Sequence, residues 1–201
     1  MHTLSLVLAL ERRLRSFARV SARGEWTDSV REVPRRLSEL TLGILGFGRI
    51  GSRFAAMAAP LFGRIVANDP YVTDLSDGVE PVAFEDLLAQ SDVLSLHAPL
   101  TAETRTMVDR AALASLKPGT VLANTARGEM FDLDALVKAL DSGHLGGVGL
   151  DVLDGEPPAA DHPLRTHPAA ILTPHVAFLS TGSLAHYELD PCRRIIEWQQ
   201  T

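Results

Sequence analysis

Three residues with complementary chemistry follow short apolar runs in the second half of the sequence. They are Arg127 after Val121–Asn124, Glu156 after Val148–Val152 and His175 after Ala170–Leu172. A guanidinium pairs with a carboxylate through two parallel hydrogen bonds, and an imidazole exchanges the proton that accompanies hydride transfer at a carbinol carbon. A nearby carboxylate favours the charged imidazolium. This combination predicts a redox site for a small acid.

Each of the three residues also has a purely structural interpretation. Arg127 precedes Gly128 and could be a simple loop charge. Glu156 precedes two prolines and could be a solvated turn residue, whereas His175 follows a proline and could only brace its loop. The functional prediction therefore depends on their joint placement, because ligands of doubly wound sheets bind beyond the carboxyl ends of the strands.

A glycine-rich turn joins the predicted strand Leu42–Phe47 to the predicted helix Ile50–Leu61. Its glycines follow a G-x-G-x-x-G pattern and are Gly46, Gly48 and Gly51. The first permits a tight turn, the second lets the backbone approach a pyrophosphate, and the third allows the helix to pack closely on the strand. Free N–H groups at the start of the helix would face the phosphates. The turn predicts a dinucleotide site, although such a pattern alone also occurs by chance.

Asp69 supports this prediction because it follows the second predicted strand, Ile65–Asn68, eighteen residues after Gly51. An acid at this position can accept hydrogen bonds from the adenosine ribose, and it repels the additional phosphate of NADP. Without the glycine turn, Asp69 before Pro70 would be an ordinary turn residue. The two signals together predict NAD as the cofactor.

Short apolar strands alternate with helical segments from Leu42 onward. One more strand is predicted at Val93–His97, and further helices at Phe84–Ala89, Arg110–Ser115, Leu133–Ser142 and after Ser183. This pattern predicts an α/β fold with a doubly wound, Rossmann-type parallel sheet. Apolar residues at helical spacing predict a single amphipathic helix over residues 3–22. Pro191 is expected to break or kink the last helix.

The 201 residues suffice for one well-buried core. We expect an N-terminal helix and connecting arm over residues 1–40, a dinucleotide-binding Rossmann domain over 41–180, and a C-terminal helix over 181–201. The run Thr3–Leu10 is too short to cross a bilayer, and its flanking arginines follow it, opposite to the order in a secretory signal. These features predict a soluble, cytoplasmic protein that does not bind membranes.

The composition argues against several functional classes. A net charge of −6 argues against a protein that mainly binds nucleic acid. Residues 1–60 carry ten arginines and five acidic residues, which could mark a nucleic-acid or membrane patch, but a solvated or docked arginine-rich face is the favoured interpretation. The only cysteine is Cys192, so no intramolecular disulfide can form and no cysteine-based zinc site is predicted. Nor does the spacing of the histidines suggest metal ligands, so no metal site is expected.

Six stretches of the chain, in order, resemble the D-isomer-specific 2-hydroxyacid dehydrogenases. They are LGILGFGRIG (42–51), ANDPY (67–71), HAPLTAETR (97–105), NTARGEMFD (124–132), GVGLDVLDGEPP (147–158) and LTPHVAFLS (172–180). The family includes D-3-phosphoglycerate dehydrogenases, glyoxylate and hydroxypyruvate reductases, and the C-terminal-binding-protein corepressors. The resemblance covers nearly the whole chain. It implies an NAD-binding domain of an oxidoreductase that transfers hydride between NAD(H) and a 2-oxo or 2-hydroxy acid.

The resemblance also implies roles for individual residues. Arg127 would bind the substrate carboxylate and carbonyl, Glu156 would pair with the catalytic histidine, and His175 would protonate the ketone. Arg49 and Ile50 would contact the pyrophosphate. The residues expected beside the nicotinamide are Ala98, Thr125, Ala126 and Asp151, the last of which would bind the carboxamide or instead cap a helix. Members of this type usually dimerise through the nucleotide domain, so residues 3–40 are expected to form the arm of a homodimer.

The sequence departs from the family pattern at several points. Family members carry most of their substrate domain before the nucleotide domain, whereas this sequence begins near the first helix of the nucleotide domain, so we expect one wall of the cleft to be absent. Glu129 adds an acid near Arg127, and Phe178 stands where many members carry glycine, as in the corepressor-like branch. These departures leave three hypotheses: a dehydrogenase, an NAD-binding regulatory module without turnover, or a fragment of a longer gene product.

Overall fold

The computed structural model describes residues 1–30, 33–72 and 74–199, and this part of the chain folds around a seven-stranded parallel sheet. The strands are β1 Thr41–Leu45, β2 Arg64–Asn68, β3 Val79–Pro81, β4 Val93–Leu96, β5 Thr120–Asn124, β6 Leu145–Leu150 and β7 Ala170–Leu172. Their order across the sheet is β3-β2-β1-β4-β5-β6-β7. The strand order reverses between β1 and β4, which confirms the predicted doubly wound α/β fold.

Helices cover both faces of the sheet. In the described residues they are α1 His2–Glu11, α2 Leu14–Ala22, α3 Arg49–Ala58, α4 Phe84–Gln90, α5 Arg110–Ser115, α6 Leu133–Asp141 and α7 Thr181–Gln199. Leu42 and Ile44 of β1 join a buried cluster with α1 and α3, whereas Leu45 joins a second cluster with α4, α5 and α6. Successive strand residues point to opposite faces, and burial on both faces explains the continuous apolar runs in the sequence.

The edge strand β3 was not among the predicted strands. It is only three residues long, Val79–Pro81, and pairs with β2 along one side. Its sequence contains a charged residue, Glu80, and a proline, because an edge strand can leave backbone groups unpaired and a side chain in solvent. Strand boundaries also shift: β1 ends at Leu45, so Gly46 belongs to the turn.

The prediction of one helix over residues 3–22 was wrong. Arg13 has a left-handed backbone with φ of 53°, and this residue separates α1 from α2. Its guanidinium donates to the carbonyl of Gly146, 3.2 Å away, which ties the break to the start of β6. At the other end of the chain, α7 continues through Pro191 rather than ending there. No helix among the described residues is long and apolar enough to cross a membrane.

Helix α1 packs against a strand that has almost no side chains on the contact surface. A Cβ on Gly149 of β6 would lie 2.9 Å from Leu6 Cβ, and one on Gly147 would lie 3.1 Å from Leu10 Cδ2. Glycine at these two positions therefore lets the helix approach the sheet closely. Because Leu6 and Leu10 are buried there, α1 is fixed relative to the strands that carry the functional loops.

Candidate active site

All of the predicted site residues lie just beyond the carboxyl ends of strands. The glycine turn 46–51 follows β1, Asp69 follows β2, Ala98 follows β4, residues 125–127 follow β5, Asp151 and Glu156 follow β6, and His175 follows β7. Since all of these strands are parallel, the residues gather along a single edge of the sheet. This is the edge where doubly wound folds bind ligands.

The glycine turn is set by steric contacts of the backbone. Gly46 has φ of 89°, and a Cβ there would lie 2.5 Å from the backbone nitrogen of Ala98. A Cβ on Gly51 would lie 2.1 Å from the Gly46 carbonyl oxygen. At Gly48 a Cβ would meet nothing within 4 Å, so this position borders open space. The turn thus offers bare backbone toward that space, as a pyrophosphate requires.

The start of α3 supplies hydrogen-bond donors beside this turn. Gly48 is the N-cap residue, and no side chain caps the helix there. The N–H groups of the first turn, including those of Arg49 and Ile50, therefore have no capping partner. The Ile50 side chain is 63% exposed, although it is large and apolar. Both predicted pyrophosphate residues thus lie at the exposed helix start, where an anion is stabilised by the helix dipole.

Asp69 is hydrogen-bonded to the glycine turn. Its Oδ2 accepts a hydrogen bond of 2.7 Å from the Phe47 N–H, and its Oδ1 accepts one of 2.9 Å from the Tyr71 N–H. Each carboxylate oxygen can accept a second hydrogen bond. The residue therefore connects the end of β2 to the turn after β1 and keeps the capacity to accept from ribose hydroxyls.

Asp151 is the buried centre of the loop that carries His175. Its side chain is 0% exposed. Its Oδ1 accepts from Thr173 Oγ1 at 2.5 Å and from the Val176 N–H at 2.9 Å, and its Oδ2 accepts from the Ala177 N–H at 2.7 Å. These contacts place Asp151 as a brace for residues 173–177, a function that the sequence interpretation did not include.

Glu156 and His175 form a direct pair. His175 Nδ1 lies 2.6 Å from Glu156 Oε2, and Glu156 Oε1 accepts a hydrogen bond of 2.8 Å from the Leu153 N–H. The His175 side chain is 48% exposed. Its backbone is left-handed, with φ of 53°, and its N–H donates to the carbonyl of Asp151 at 2.9 Å. With Nδ1 engaged by the carboxylate, Nε2 is the ring nitrogen that can exchange a proton with a substrate.

Arg127 shares one cavity with this pair. The cavity has a volume of about 230 Å³ and is lined by Arg127, Glu129, Glu156 and His175 together with nearby backbone. Arg127 is exposed, and its Nη1 donates to the carbonyl of Ala126 at 2.6 Å. The three residues that the sequence singled out are therefore brought together, and Glu129 adds a second carboxylate to their cavity.

Two residues that the sequence interpretation missed shape the Arg127 loop. Asn124 is fully buried; its Oδ1 accepts from the Ala126 N–H and its Nδ2 donates to the Arg127 carbonyl, both at 2.8 Å. A Cβ on Gly128 would lie 2.0 Å from the carbonyl carbon of Leu153. Close approach at this glycine therefore presses the Arg127 loop against the loop that carries Glu156. The only signal for Asn124 was a polar residue ending an apolar strand.

A second cavity lies on another side of the Glu156–His175 pair. Its volume is about 590 Å³, and its lining includes Pro157, Leu172 and Pro174 together with Arg165. The Arg165 guanidinium is held by the carbonyls of Pro158 and Ala159. The histidine and the glutamate therefore separate a smaller polar cavity from a larger, more apolar one.

His97, at the end of β4, packs into the core beside the glycine turn. Its ring lies 5.0 Å from the Phe54 ring, and its Nε2 lies 2.9 Å from Ser95 Oγ. Burial, with a smaller contribution from the positive charge of the amino terminus, lowers the pKa of His97 to about 4. The imidazole is therefore neutral at pH 7, and its contacts are those of a packing residue.

A comparison with known families identifies this architecture. The family model described as D-isomer-specific 2-hydroxyacid dehydrogenase, NAD-binding domain, matches residues 4–177. The chain belongs to this family. The matched segment begins in α1 and includes the glycine turn, Asp69, Arg127, Glu156 and His175. The chain is therefore a D-2-hydroxyacid dehydrogenase NAD-binding domain.

The relatives of this chain are longer proteins, and the chain matches only part of each. The chain is 38% identical over 178 residues to D-3-phosphoglycerate dehydrogenase of Mycobacterium leprae (strain TN), covering 87% of this chain and 33% of the relative. It is 38% identical over 190 residues to a glycerate dehydrogenase of Methylorubrum extorquens, covering 91% and 59%. A D-lactate dehydrogenase from Aquifex aeolicus, solved with NAD and lactic acid, is 31% identical with a TM-score of 0.90, covering 99% and 65%. The chain thus spans between 33% and 65% of these relatives.

Proposed function

We propose that the chain supplies the cofactor-binding wall and three catalytic residues for hydride transfer between NAD(H) and a D-2-hydroxy or 2-oxo acid. The observation that carries this proposal is the contact of 2.6 Å between His175 Nδ1 and Glu156 Oε2. This pair lines one cavity with Arg127 at the edge formed by the carboxyl ends of the strands. An acid–base pair beside a guanidinium matches the needs of an α-oxo acid, which carries a carboxylate and a carbonyl on adjacent carbons.

The chain's own residues divide the proposed reaction between them. The Arg127 guanidinium binds the substrate carboxylate and polarises the carbonyl. His175 donates a proton from Nε2 to the ketone oxygen and accepts it in the reverse direction. Glu156 holds the ring through Nδ1 and stabilises the imidazolium. When bound, NADH supplies the hydride, and NAD accepts it in the reverse direction.

We also propose which residues contact each part of the cofactor. Support for a pyrophosphate position comes from the open space at Gly48 and the uncapped start of α3, where Arg49 and Ile50 lie. Asp69 would accept from the ribose hydroxyls. The nicotinamide would lie beside Ala98, Thr125, Ala126 and Asp151, of which Asp151 would act through the loop it holds as well as by contact.

We further propose a homodimer formed through the arm over residues 1–40, beside the Rossmann domain at 41–180 and the C-terminal helix at 181–201. Apolar side chains of the arm support this interface, because Leu14 is 54%, Trp26 76% and Val33 89% exposed. Helix α2 contains no buried residue. A cytoplasmic location and the absence of nucleic-acid binding stay predictions from the sequence.

An NAD-binding module without turnover is the second candidate. Phe178 is 60% exposed, and its ring lies edge-on to the His175 ring at 6.4 Å between centroids. This aromatic ring adds an apolar neighbour to the imidazole, and Glu129 places a negative charge in the cavity that would receive an acid. Both features oppose turnover without affecting the glycine turn.

NADH oxidation with glyoxylate, hydroxypyruvate and phosphohydroxypyruvate tests the proposal. We expect turnover that His175→Ala removes, while calorimetry shows unchanged NAD binding in that variant. Asp69→Ala, the matched variant on the cofactor side, is expected to weaken NAD binding about tenfold through the lost ribose hydrogen bonds and the lost hydrogen bond to the glycine turn. NAD binding without turnover would favour the second candidate. Undetectable binding at millimolar NAD would contradict both.

A further inference from the structure

The first turn of α1 contacts the loop that carries His175. His2 Nε2 lies 2.9 Å from Thr173 Oγ1 and 3.4 Å from Asp151 Oδ1. The threonine is two residues before His175 in the chain, and Asp151 accepts hydrogen bonds from the residues just after it. His2 therefore adds a contact from outside the loop to the network that holds the loop in place.

Counting protons defines the direction of these hydrogen bonds. The Thr173 hydroxyl has one proton, and it donates that proton to Asp151 Oδ1 at 2.5 Å. The same oxygen atom of Thr173 must then accept from its second partner, His2 Nε2. The His2 ring thus carries a proton on Nε2, and the chain of donors runs from His2 through Thr173 to the buried carboxylate.

The neighbouring residue of the same turn contacts the other catalytic loop. Thr3 is 7% exposed, and its Oγ1 lies 2.8 Å from Thr125 Oγ1. Thr125 is two residues before Arg127, in the turn that Asn124 braces through the Ala126 N–H. Consecutive side chains of one helical turn therefore hold the loop after β5 and the loop after β7.

Helix α1 is a firm support for both contacts. Leu6 and Leu10 pack on the glycines of β6, and Val7 of the same helix is 0% exposed. The two loops, in contrast, consist of turns whose side chains are partly exposed. Fixing both loops to one rigid helix fixes the distance between them, which matters because catalysis tolerates little error in the placement of reacting groups.

We propose that His2 and Thr3 are positioning residues that set the placement of His175 relative to Arg127. The inference depends on the proposed function only for the catalytic roles of His175 and Arg127. The coupling itself, from the first turn of α1 to the two loops, is a property of the folded chain and can be measured without turnover.

Amide hydrogen exchange followed by NMR on the full chain with NAD tests the coupling. We expect His2→Ala to speed exchange of the Val176 and Ala177 N–H groups about 5- to 10-fold, as the loss of one hydrogen bond implies. His2→Gln, which retains a side-chain donor, should recover part of this protection. Thr3→Val should instead speed exchange at Ala126 and leave the other loop unchanged.

His144→Ala is the matched control. The Nε2 of His144 also makes one hydrogen bond from a partly buried position, 3.0 Å to the carbonyl of Leu113, but at the opposite end of the strands. This variant should change neither loop. Unchanged exchange at Val176 and Ala177 in His2→Ala would overturn the proposal. Equal acceleration at Ile44 of β1 would overturn it as well, because the effect would then be global unfolding. If His2→Ala does not fold, Thr173→Val is used instead, because it removes the hydroxyl that joins His2 to Asp151. The exchange rates at Val176, Ala177 and Ile44 are then judged in the same way.

A second measurement separates positioning from mere stability. The NMR resonance of His175 Nδ1 reports its hydrogen bond to Glu156, and we expect it to shift in His2→Ala and to return toward its original position in His2→Gln. If the wild-type chain turns over a 2-oxo acid, His2→Ala and Thr3→Val should each lower kcat. The KM for NADH should stay within about twofold of the wild-type value. Absence of turnover in the wild-type chain would reject the proposed function and leave the exchange result as the test of this inference.

Discussion

The turn at the proposed pyrophosphate position and the loop that carries His175 differ in what limits their sequence. The turn requires glycine at Gly46 and Gly51, because backbone atoms occupy the space of a Cβ there, and Asp69 adds one hydrogen bond to the Phe47 N–H. The loop that carries His175 is held by hydrogen bonds that converge on one buried carboxylate, Asp151. Damage to the turn should therefore be all-or-none, whereas damage to the loop should be graded.

Gly46→Ala should have the largest effect, because it places a Cβ 2.5 Å from the Ala98 backbone at a residue with φ of 89°. We expect a loss of about 3 kcal/mol or more in the free energy of unfolding, together with loss of NAD binding. Denaturant unfolding and calorimetry measure the two quantities.

Gly48→Ala is the control for this variant, because its Cβ would meet nothing within 4 Å. Its free energy of unfolding should stay within about 0.5 kcal/mol of the wild-type value, while NAD binding weakens. Equal stability of the two variants would remove the argument that backbone contacts define the turn.

Low pH should reduce the free energy of unfolding through His97, which packs beside the glycine turn. Burial lowers the pKa of His97 to about 4 from the usual 6.5 for histidine, so the unfolded chain takes up the proton first. The contribution to stability is therefore complete above about pH 6.5 and is lost as the pH falls toward 4, by up to about 3 kcal/mol. Urea unfolding at several pH values measures this loss. In His97→Phe the free energy of unfolding should fall less between pH 6.5 and 4 than in the wild-type chain. An identical pH dependence in both proteins would contradict the assignment.

Asp151→Asn should produce an intermediate effect, centred on the loop that carries His175. The amide has a single acceptor oxygen, so it cannot accept from Thr173, Val176 and Ala177 in the present arrangement. We expect a loss of about 2 kcal/mol in the free energy of unfolding and faster exchange of the two loop amides, with NAD binding reduced less than in Gly46→Ala. Asp154→Asn, an exposed position in the neighbouring loop, should change stability by less than about 0.5 kcal/mol.

Glu129→Gln should have the smallest effect, and it should act on ligand charge rather than on structure. Glu129 and Glu156 share a cavity in which Arg127 is the basic lining residue. Removing one negative charge should strengthen binding of oxalate to the NAD complex about threefold, and salt should reduce this gain. Glu85→Gln on α4 serves as a charge-matched control with no expected effect. Weaker oxalate binding in Glu129→Gln would show that this carboxylate assists the ligand.

The sequence predicted the elements whose signals are local. Continuous apolar strands gave the parallel sheet, and the glycine spacing placed the turn correctly between β1 and α3. The joint placement of Arg127, Glu156 and His175 also followed, because parallel strands bring their carboxyl ends to one edge.

Features that depend on distant partners were not predictable from the sequence. The break at Arg13 depends on a carbonyl in β6, and β3 is a strand only because β2 offers it an edge. Likewise Asp151 carries the pattern of a cofactor ligand, but its use as a loop brace depends on residues 22 to 26 positions away. The contacts of the first turn of α1 span more than a hundred residues of chain.

The left-handed backbone of His175 sets stability against activity. A non-glycine residue at φ of 53° holds a conformation that costs about 1 kcal/mol or more, and glycine or asparagine would adopt it with less strain. Selection for stability alone would therefore favour replacing this histidine. If His175 performs the proposed proton transfer, that chemistry is what offsets the strain, and we expect His175→Asn to abolish turnover while keeping or raising the free energy of unfolding.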